Sequence, residues 1–262
     1  MLPSFVKVAS IRDISMSHQY IRTSWDNFPK VQVLYPLNTL KKASEELYYQ
    51  AKSGDMLSAF RLLELKLDTH DKIIELEEVC IRDNPIIVPV IAIEALGNNR
   101  IPAMFAEMIG VILDLEVNND IVQTVKANHT NAGAYERIVR QPRFEGEVQE
   151  GRNYIIVDDT VAMGGTLAAL KGYIESQGGN VVRAITLTGL TVPEFDIVPT
   201  EKMLRLVLSK HPELPEWWQN EFGFPIQYLT QGELGHLRTP SSLDEIRNRL
   251  ITSGFQSSNE AS

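Results

Sequence analysis

Two hydrophobic periods alternate along this chain, and their order outlines its architecture. Leu40, Ala43, Leu47 and Ala51 recur at helical spacing over residues 39–52, and Gly54 follows where a helix-ending glycine belongs. Asp55 can cap a second helix, with Met56, Leu57, Phe60, Leu63 and Leu67 as its expected core stripe. A third helix is expected over 71–81, and residues 31–35 alternate as a short strand would. The period then changes. Residues 85–94, 154–157 and 181–188 are nearly continuous apolar runs, the pattern of strands buried on both faces, and a further strand is expected near 121–125. Pro89 assigns the first of them to a sheet edge or a bulge. Helices are expected between them at 101–109, with Pro102 early, and at 166–177, stopped by Gly178 and Gly179. This alternation predicts an α/β fold with a doubly wound, mostly parallel sheet. The 154–158 strand should lie inside it, between 86–93 and 181–188.

Past Pro193 the pattern is helical again, at 200–209, 214–222, 230–237 and 242–251, with Trp217, Trp218 and Phe222 expected to lock this helical tail against the core. The expected division is a mainly helical N-terminal extension at 1–84 and an α/β core at 85–192. A helical C-terminal extension at 193–252 and a disordered tail at 253–262 follow. Between the strand expected near 121–125 and the 154–157 strand lies a polar stretch, 126–153, carrying Lys126, His129, Arg137, Arg140 and Arg143. A loop of that length is expected to be mobile or functional.

Charge and cysteine content narrow the function classes. A net charge of −9 over 262 residues argues against general nucleic-acid binding and against anionic membranes. The single cysteine, Cys80, permits no internal disulfide and fits a reducing compartment such as the cytoplasm. Its apolar neighbours Val79 and Ile81 make it a core residue rather than a nucleophile. No signal peptide is expected, and the apolar run at 86–96 is broken by Pro89 and Glu94 and too short to span a bilayer.

Candidate chemistry concentrates at 154–167. A buried strand leads into Asp158 and Asp159, then into the small-residue loop Ala162, Met163, Gly164, Gly165, Thr166, where an apolar-periodic helix opens. Glycines let backbone N–H groups converge on an anion, and a helix N-terminus adds partial positive charge there. The acid pair can accept hydrogen bonds from vicinal ribose hydroxyls or hold a hydrated magnesium ion. Paired acids after a strand also occur in phosphoacceptor receiver domains and at ordinary strand-to-turn junctions.

The order of these parts resembles the ribose-phosphate motif of the type I phosphoribosyltransferases. The resemblance places Asp158 and Asp159 on the acids that bind the ribose 2′ and 3′ hydroxyls. It places Ala162 to Thr166 on the 5′-phosphate loop, with Met163 where the family usually has threonine. It implies a diphosphate-contacting loop near Gly97 and Arg100, and a closing loop bringing Lys126, His129 and Arg137 to the substrate. Residues His129, Thr130, Arg137, Phe144 and Gly146 resemble a subgroup met in phage, plasmid, toxin-like and retron-associated settings. The function so implied is magnesium-dependent transfer of a phosphoribosyl group from 5-phosphoribosyl 1-diphosphate to an unidentified acceptor, within a mobile-element or phage-defence system. The alternative is a catalytically idle phosphoribosyl or nucleotide sensor. Partners would be the small-molecule phosphoribosyl substrate and either a second copy of the chain or a regulated protein.

Overall fold

The apolar run at 154–157 does lie inside the sheet. In the computed structural model, which describes residues 20–82, 84–94, 97–124 and 133–259, five strands pair in the order β2-β7-β8-β1-β9. They are β1 (Val31–Pro36), β2 (Ile86–Pro89), β7 (Asn153–Val161), β8 (Asn180–Gly189) and β9 (Glu194–Phe195). The intervening short strands are β3 (Ile93–Glu94), β4 (Gly97–Asn98), β5 (Val122–Gln123) and β6 (Phe144–Glu145), which form two separate two-stranded ladders, β3 with β4 and β5 with β6. All pairings in the main sheet are parallel except β1 with β9. Pro89 ends β2, an outer strand of that sheet, so its missing N–H interrupts no central ladder.

Both faces of the sheet are covered, which is why its strands read as unbroken apolar runs. Ile155 and Val157 pack with Leu62, Leu63, Phe105 and Ile109 on one side, whereas Tyr154 and Ile156 pack with Leu167, Leu170 and Ile174 on the other. The helices on the first side are α1 (Thr39–Ala43), α2 (Glu45–Lys52), α3 (Met56–Leu65), α4 (Thr69–Ile74), α5 (Glu77–Cys80) and α6 (Ile101–Leu113). The sheet thus draws β1 from upstream of the 85–192 span expected to hold the α/β core. Alternation at 31–35 marked a strand, with nothing local to place it in this sheet.

Several expected elements differ in detail. The helix expected over 39–52 breaks at Ser44, which is extended (φ −162°, ψ 111°) and caps α2 by accepting from the Leu47 N–H. Serine competes for backbone partners in this way. The 71–81 helix divides into α4 and α5. In α3 the buried residues are Ser58, Ala59, Leu62 and Leu63, while Met56, Leu57 and Phe60 are 37%, 54% and 41% exposed. That helix is apolar on more than one face, so sequence spacing chose Leu63 and Leu67 correctly but put Met56, Leu57 and Phe60 in the core stripe in place of Ala59 and Leu62. Asp55 does cap it, accepting from the Leu57 and Ser58 N–H groups.

The 126–153 stretch is not one loop. Residues 133–153 hold α7 (Ala134–Val139) and β6, with Ile138, Val139 and Phe144 buried. Gly146 (φ +132°) lets this chain pass the Asp120 carbonyl, into which an added Cβ would drive. Replacing Gly146 by Ala should therefore cost roughly 2–5 kcal/mol, from overpacking and left-handed strain together. Urea unfolding would read it as a lower midpoint.

On the second side lies α8 (Gly165–Ser176). Beyond it come α9 (Glu201–Lys210), α10 (Leu214–Phe222), α11 (Gln231–Leu237) and α12 (Leu243–Asn259). Helix α12 runs through Asn259, so residues 253–259 are helical where a disordered tail was expected. Trp218 stacks on Phe222 with ring centroids 4.0 Å apart, within a cluster that also takes Ile138 and Val139 from α7 and Tyr20 from the N-terminal arm. The tail is locked chiefly to α7 and the arm rather than to the sheet.

Candidate functional site

Strand β7 carries the acid pair into the interior before it ends. Asp158 lies opposite Thr186 on β8, Thr160 opposite Thr188, and the strand continues to Val161. The two aspartates are 9% and 6% exposed. Consecutive strand residues point to opposite faces, and their surroundings differ accordingly. Asp158 Oδ1 accepts the Asp159 N–H at 2.8 Å. Asp159 Oδ2 accepts from Lys52 Nζ at 2.7 Å and from Asn99 Nδ2 at 3.1 Å.

These settings separate the two carboxyls. Burial, reinforced by the neighbouring Asp159 charge, pushes Asp158 well above the usual carboxylate range. Burial also acts to raise Asp159, but the Lys52 charge, hydrogen bonds from Lys52 and Asn99, and the contact with Asp158 outweigh it and hold this carboxyl low. Of the two, Asp159 gives up its proton the more readily.

The loop behind the acids is held from the C-terminal helices. Gly164, with φ +81°, stands at the N-cap of α8. Thr230 Oγ1 donates to the Met163 carbonyl at 2.6 Å, and the Met163 side chain packs on the C-terminal apolar cluster. A Cβ on Gly165 would come within 2.7 Å of Glu233 Oε1. Glu233 is buried, ion-paired to Arg22 at 2.8 Å, and closes a capping box with Thr230 at the start of α11. Arg22 Nε in turn donates to Gln141 Oε1 at 2.8 Å. The glycines here thus serve close packing against α11 as well as access to the loop backbone. Because Met163 is half-buried in that cluster, Met163→Thr should cost about 1–2 kcal/mol, less than full burial would imply. Thermal melts would show it as a lower Tm.

Of the residues singled out from sequence, the structure brings together Asp158, Asp159, Ala162, Met163, Gly164, Gly165 and Thr166 on one strand–loop–helix unit. Gly97 lies on β4, and Arg100 begins α6, its N–H donating to the Ala51 carbonyl at 3.0 Å. From that segment it is Asn99, between them, that reaches the acid pair. Arg137 is carried by α7, whose buried residues Ile138 and Val139 join the C-terminal cluster. Lys126 and His129 lie outside the described residues.

Lys52 and Asn99 were missed. Asn99 reads in the sequence as a turn residue before a helix, and its Oδ1 does accept the Ile101 N–H at 3.2 Å. Nothing local marks Lys52, which ends an amphipathic helix far upstream.

The expected magnesium ion is one held mainly by the hydroxyls and diphosphate of the substrate; whether the acid pair could hold it directly is tested against this donor set. Among the described residues no group of three or more Asp, Glu, His or Cys side chains converges as a metal site. One acid is pushed toward its neutral form, and the other already holds an ammonium. Two unit charges 4 Å apart near a protein surface repel by about 4 kcal/mol, and a divalent ion beside Lys52 would meet about twice that. The residues present do not fit a protein-held magnesium ion. Among the described residues no helix is long and apolar enough to cross a membrane.

No protein-family model matches the chain. It is 45% identical over 230 residues to Protein TraN of Escherichia coli, an alignment covering 87% of this chain and 50% of TraN. An uncharacterized protein of Haemophilus influenzae is 38% identical over 157 residues, 60% of this chain and 34% of that one. This chain therefore spans about half or less of the length of these relatives. A shorter stretch of 49 residues is 51% identical to an adenine phosphoribosyltransferase of Corynebacterium efficiens, covering 18% of this chain and 26% of that enzyme. Among solved structures, an adenine phosphoribosyltransferase aligns over 51% of this chain and 75% of its own at 24% identity, with a TM-score of 0.35.

Proposed function

We propose that this chain binds a phosphorylated ribose at the carboxyl end of β7. The observation supporting this reading is that one strand–loop–helix unit delivers Asp158, Asp159, the Gly164 turn and the α8 N-terminus to a single place. The first N–H groups of a helix lack intrahelical partners, so a 5′-phosphate at α8 would gain donors and a favourable dipole worth about 0.3–1 kcal/mol. The ribose hydroxyls would donate to the acid pair.

In the transferase form of this reading, the donor is 5-phosphoribosyl 1-diphosphate. Asp158 and Asp159 hold the ribose while the C1–oxygen bond breaks and diphosphate leaves with the bonding electrons. Positive charge develops on C1, as in glycoside cleavage, and an acceptor nitrogen or water attacks there. Arg100 with Gly97, and Lys126, His129 and Arg137, are the groups offered to the diphosphate. Asp159 is a general-base candidate by position alone. A homodimer, a protein partner, a cytoplasmic setting and a mobile-element or defence role are further parts of this proposal, implied by the family resemblance and by the single buried cysteine.

The alternative, a phosphoribosyl sensor that regulates a partner without turnover, is favoured by one observation. The Asp159 carboxylate is already engaged by Lys52 and Asn99. Labelled 5-phosphoribosyl 1-diphosphate incubated with a panel of bases and nucleotides separates the two. Diphosphate release with a labelled product supports the transferase. Saturable binding without release supports the sensor, and no binding rejects both.

A further inference from the structure

We infer that the Lys52 ammonium is the resident cation of this site, so that a ribose 5-phosphate monoester binds beside Asp158 and Asp159 without magnesium. This rests on the phosphoribosyl reading and names the ligand class within it: ribose 5-phosphate, free or within a nucleoside 5′-monophosphate, with no diphosphate required.

The contact is built rather than incidental. Lys52 comes from the end of α2 and Asn99 from the segment before α6, and both donate to the same Asp159 oxygen. The Arg100 N–H donates to the Ala51 carbonyl. The residue before Lys52 is thereby bonded to the residue after Asn99, and the two donors are registered on one acceptor. The side chains of Lys52 and Asp159 are only 16% and 9% exposed. Tyr48, one turn back on α2, presents its ring 5.9 Å from the ammonium. A lysine held this way differs from a mobile surface charge.

Magnesium demands oxygen ligands at about 2.0–2.1 Å in near-octahedral geometry and gives up its water reluctantly. To use the Asp159 oxygen it would have to displace both an ammonium and an amide. The ammonium already pairs with the Asp159 carboxylate at 2.7 Å. A ligand bringing its own phosphate charge to the α8 N-terminus needs no second cation at the acids.

Calorimetric titration of ribose 5-phosphate into the full chain, in excess magnesium or in EDTA, tests this. Wild-type affinity should be the same in both buffers. Lys52→Met should bind about tenfold more weakly in EDTA and recover part of that loss with magnesium, a dependence that a purely structural lysine would not create. Lys52→Arg, which keeps the charge, should stay near wild type. Wild-type binding that vanishes in EDTA and returns with magnesium overturns the inference and leaves the phosphoribosyl reading standing. Magnesium-independent binding that Lys52→Met leaves unchanged also overturns it. If Lys52→Met does not fold by circular dichroism, the two wild-type titrations and Lys52→Arg decide. Absence of ribose 5-phosphate binding in either buffer, confirmed by phosphorus NMR, rejects the phosphoribosyl reading itself and the inference with it.

Discussion

Glu233→Ala should lower the stability of the chain by about 3–5 kcal/mol, because it strands the Arg22 guanidinium in the interior without its partner. Both side chains of this pair are 1% exposed, so solvent cannot replace what is lost. The substitution also removes the carboxylate that accepts the Thr230 N–H, opening the capping box of α11. At roughly 2–4 °C per kcal/mol for a chain of this size, Tm should fall by roughly 6–20 °C. The double variant Arg22→Met, Glu233→Met removes both charges and should recover much of the loss, since replacing a buried pair with apolar groups is often neutral. A Tm shift of the single variant within about 2 °C would show that water reaches the pair. The effect matters beyond stability, since this pair sits under Gly165 and Thr230 holds the Met163 carbonyl. Damage to α11 should loosen the loop proposed to receive phosphate. Hydrogen exchange at residues 163–166 in Glu233→Ala would report it as faster exchange.

The sheet was legible because its strands are buried on both faces and leave uninterrupted apolar runs in the chain. Strand β7 indeed lies between β2 and β8, as three such runs implied. Strand β1 was legible as a strand but not as a member of the sheet, since its place beside β8 is a long-range pairing with no local mark. Helix faces were harder. In α3 apolar residues surround the axis, and only the small Ala59 and its neighbours reveal which side another helix approaches. For the site, the local unit from Asp158 to Thr166 was readable because all its parts are consecutive. The donors on Asp159 and the clamp from Thr230 and Glu233 were not, because tertiary packing alone brings them there. Helix α7 was hidden in a polar segment whose buried side, Ile138 and Val139, is only two residues wide.

Asp158→Asn and Asp159→Asn should move stability in opposite directions while both weaken ligand binding. Burial and the adjacent Asp159 charge raise Asp158 in the folded state above its unfolded value near 3.8. Its contribution is therefore fully present below that value and is lost as pH rises through the folded one. Asparagine carries no charge to desolvate, and its carbonyl can still accept the Asp159 N–H. Asp158→Asn should therefore be more stable than wild type at neutral pH, with the advantage shrinking on acidification. For Asp159 burial is outweighed by Lys52 and Asn99, and its folded value is lowered. That stability is present above the unfolded value and lost as pH falls through the folded one. Asp159→Asn removes it and leaves Lys52 facing an amide, a loss of about 1–3 kcal/mol after allowing for the lysine's partial exposure. If ribose hydroxyls donate to these carboxylates, each substitution should weaken ribose 5-phosphate by about one to two orders of magnitude. Melts across about pH 4–8 with calorimetry at neutral pH would measure both effects. A stabilised Asp158→Asn with unchanged affinity would assign the acid pair to folding and remove the ribose from this site.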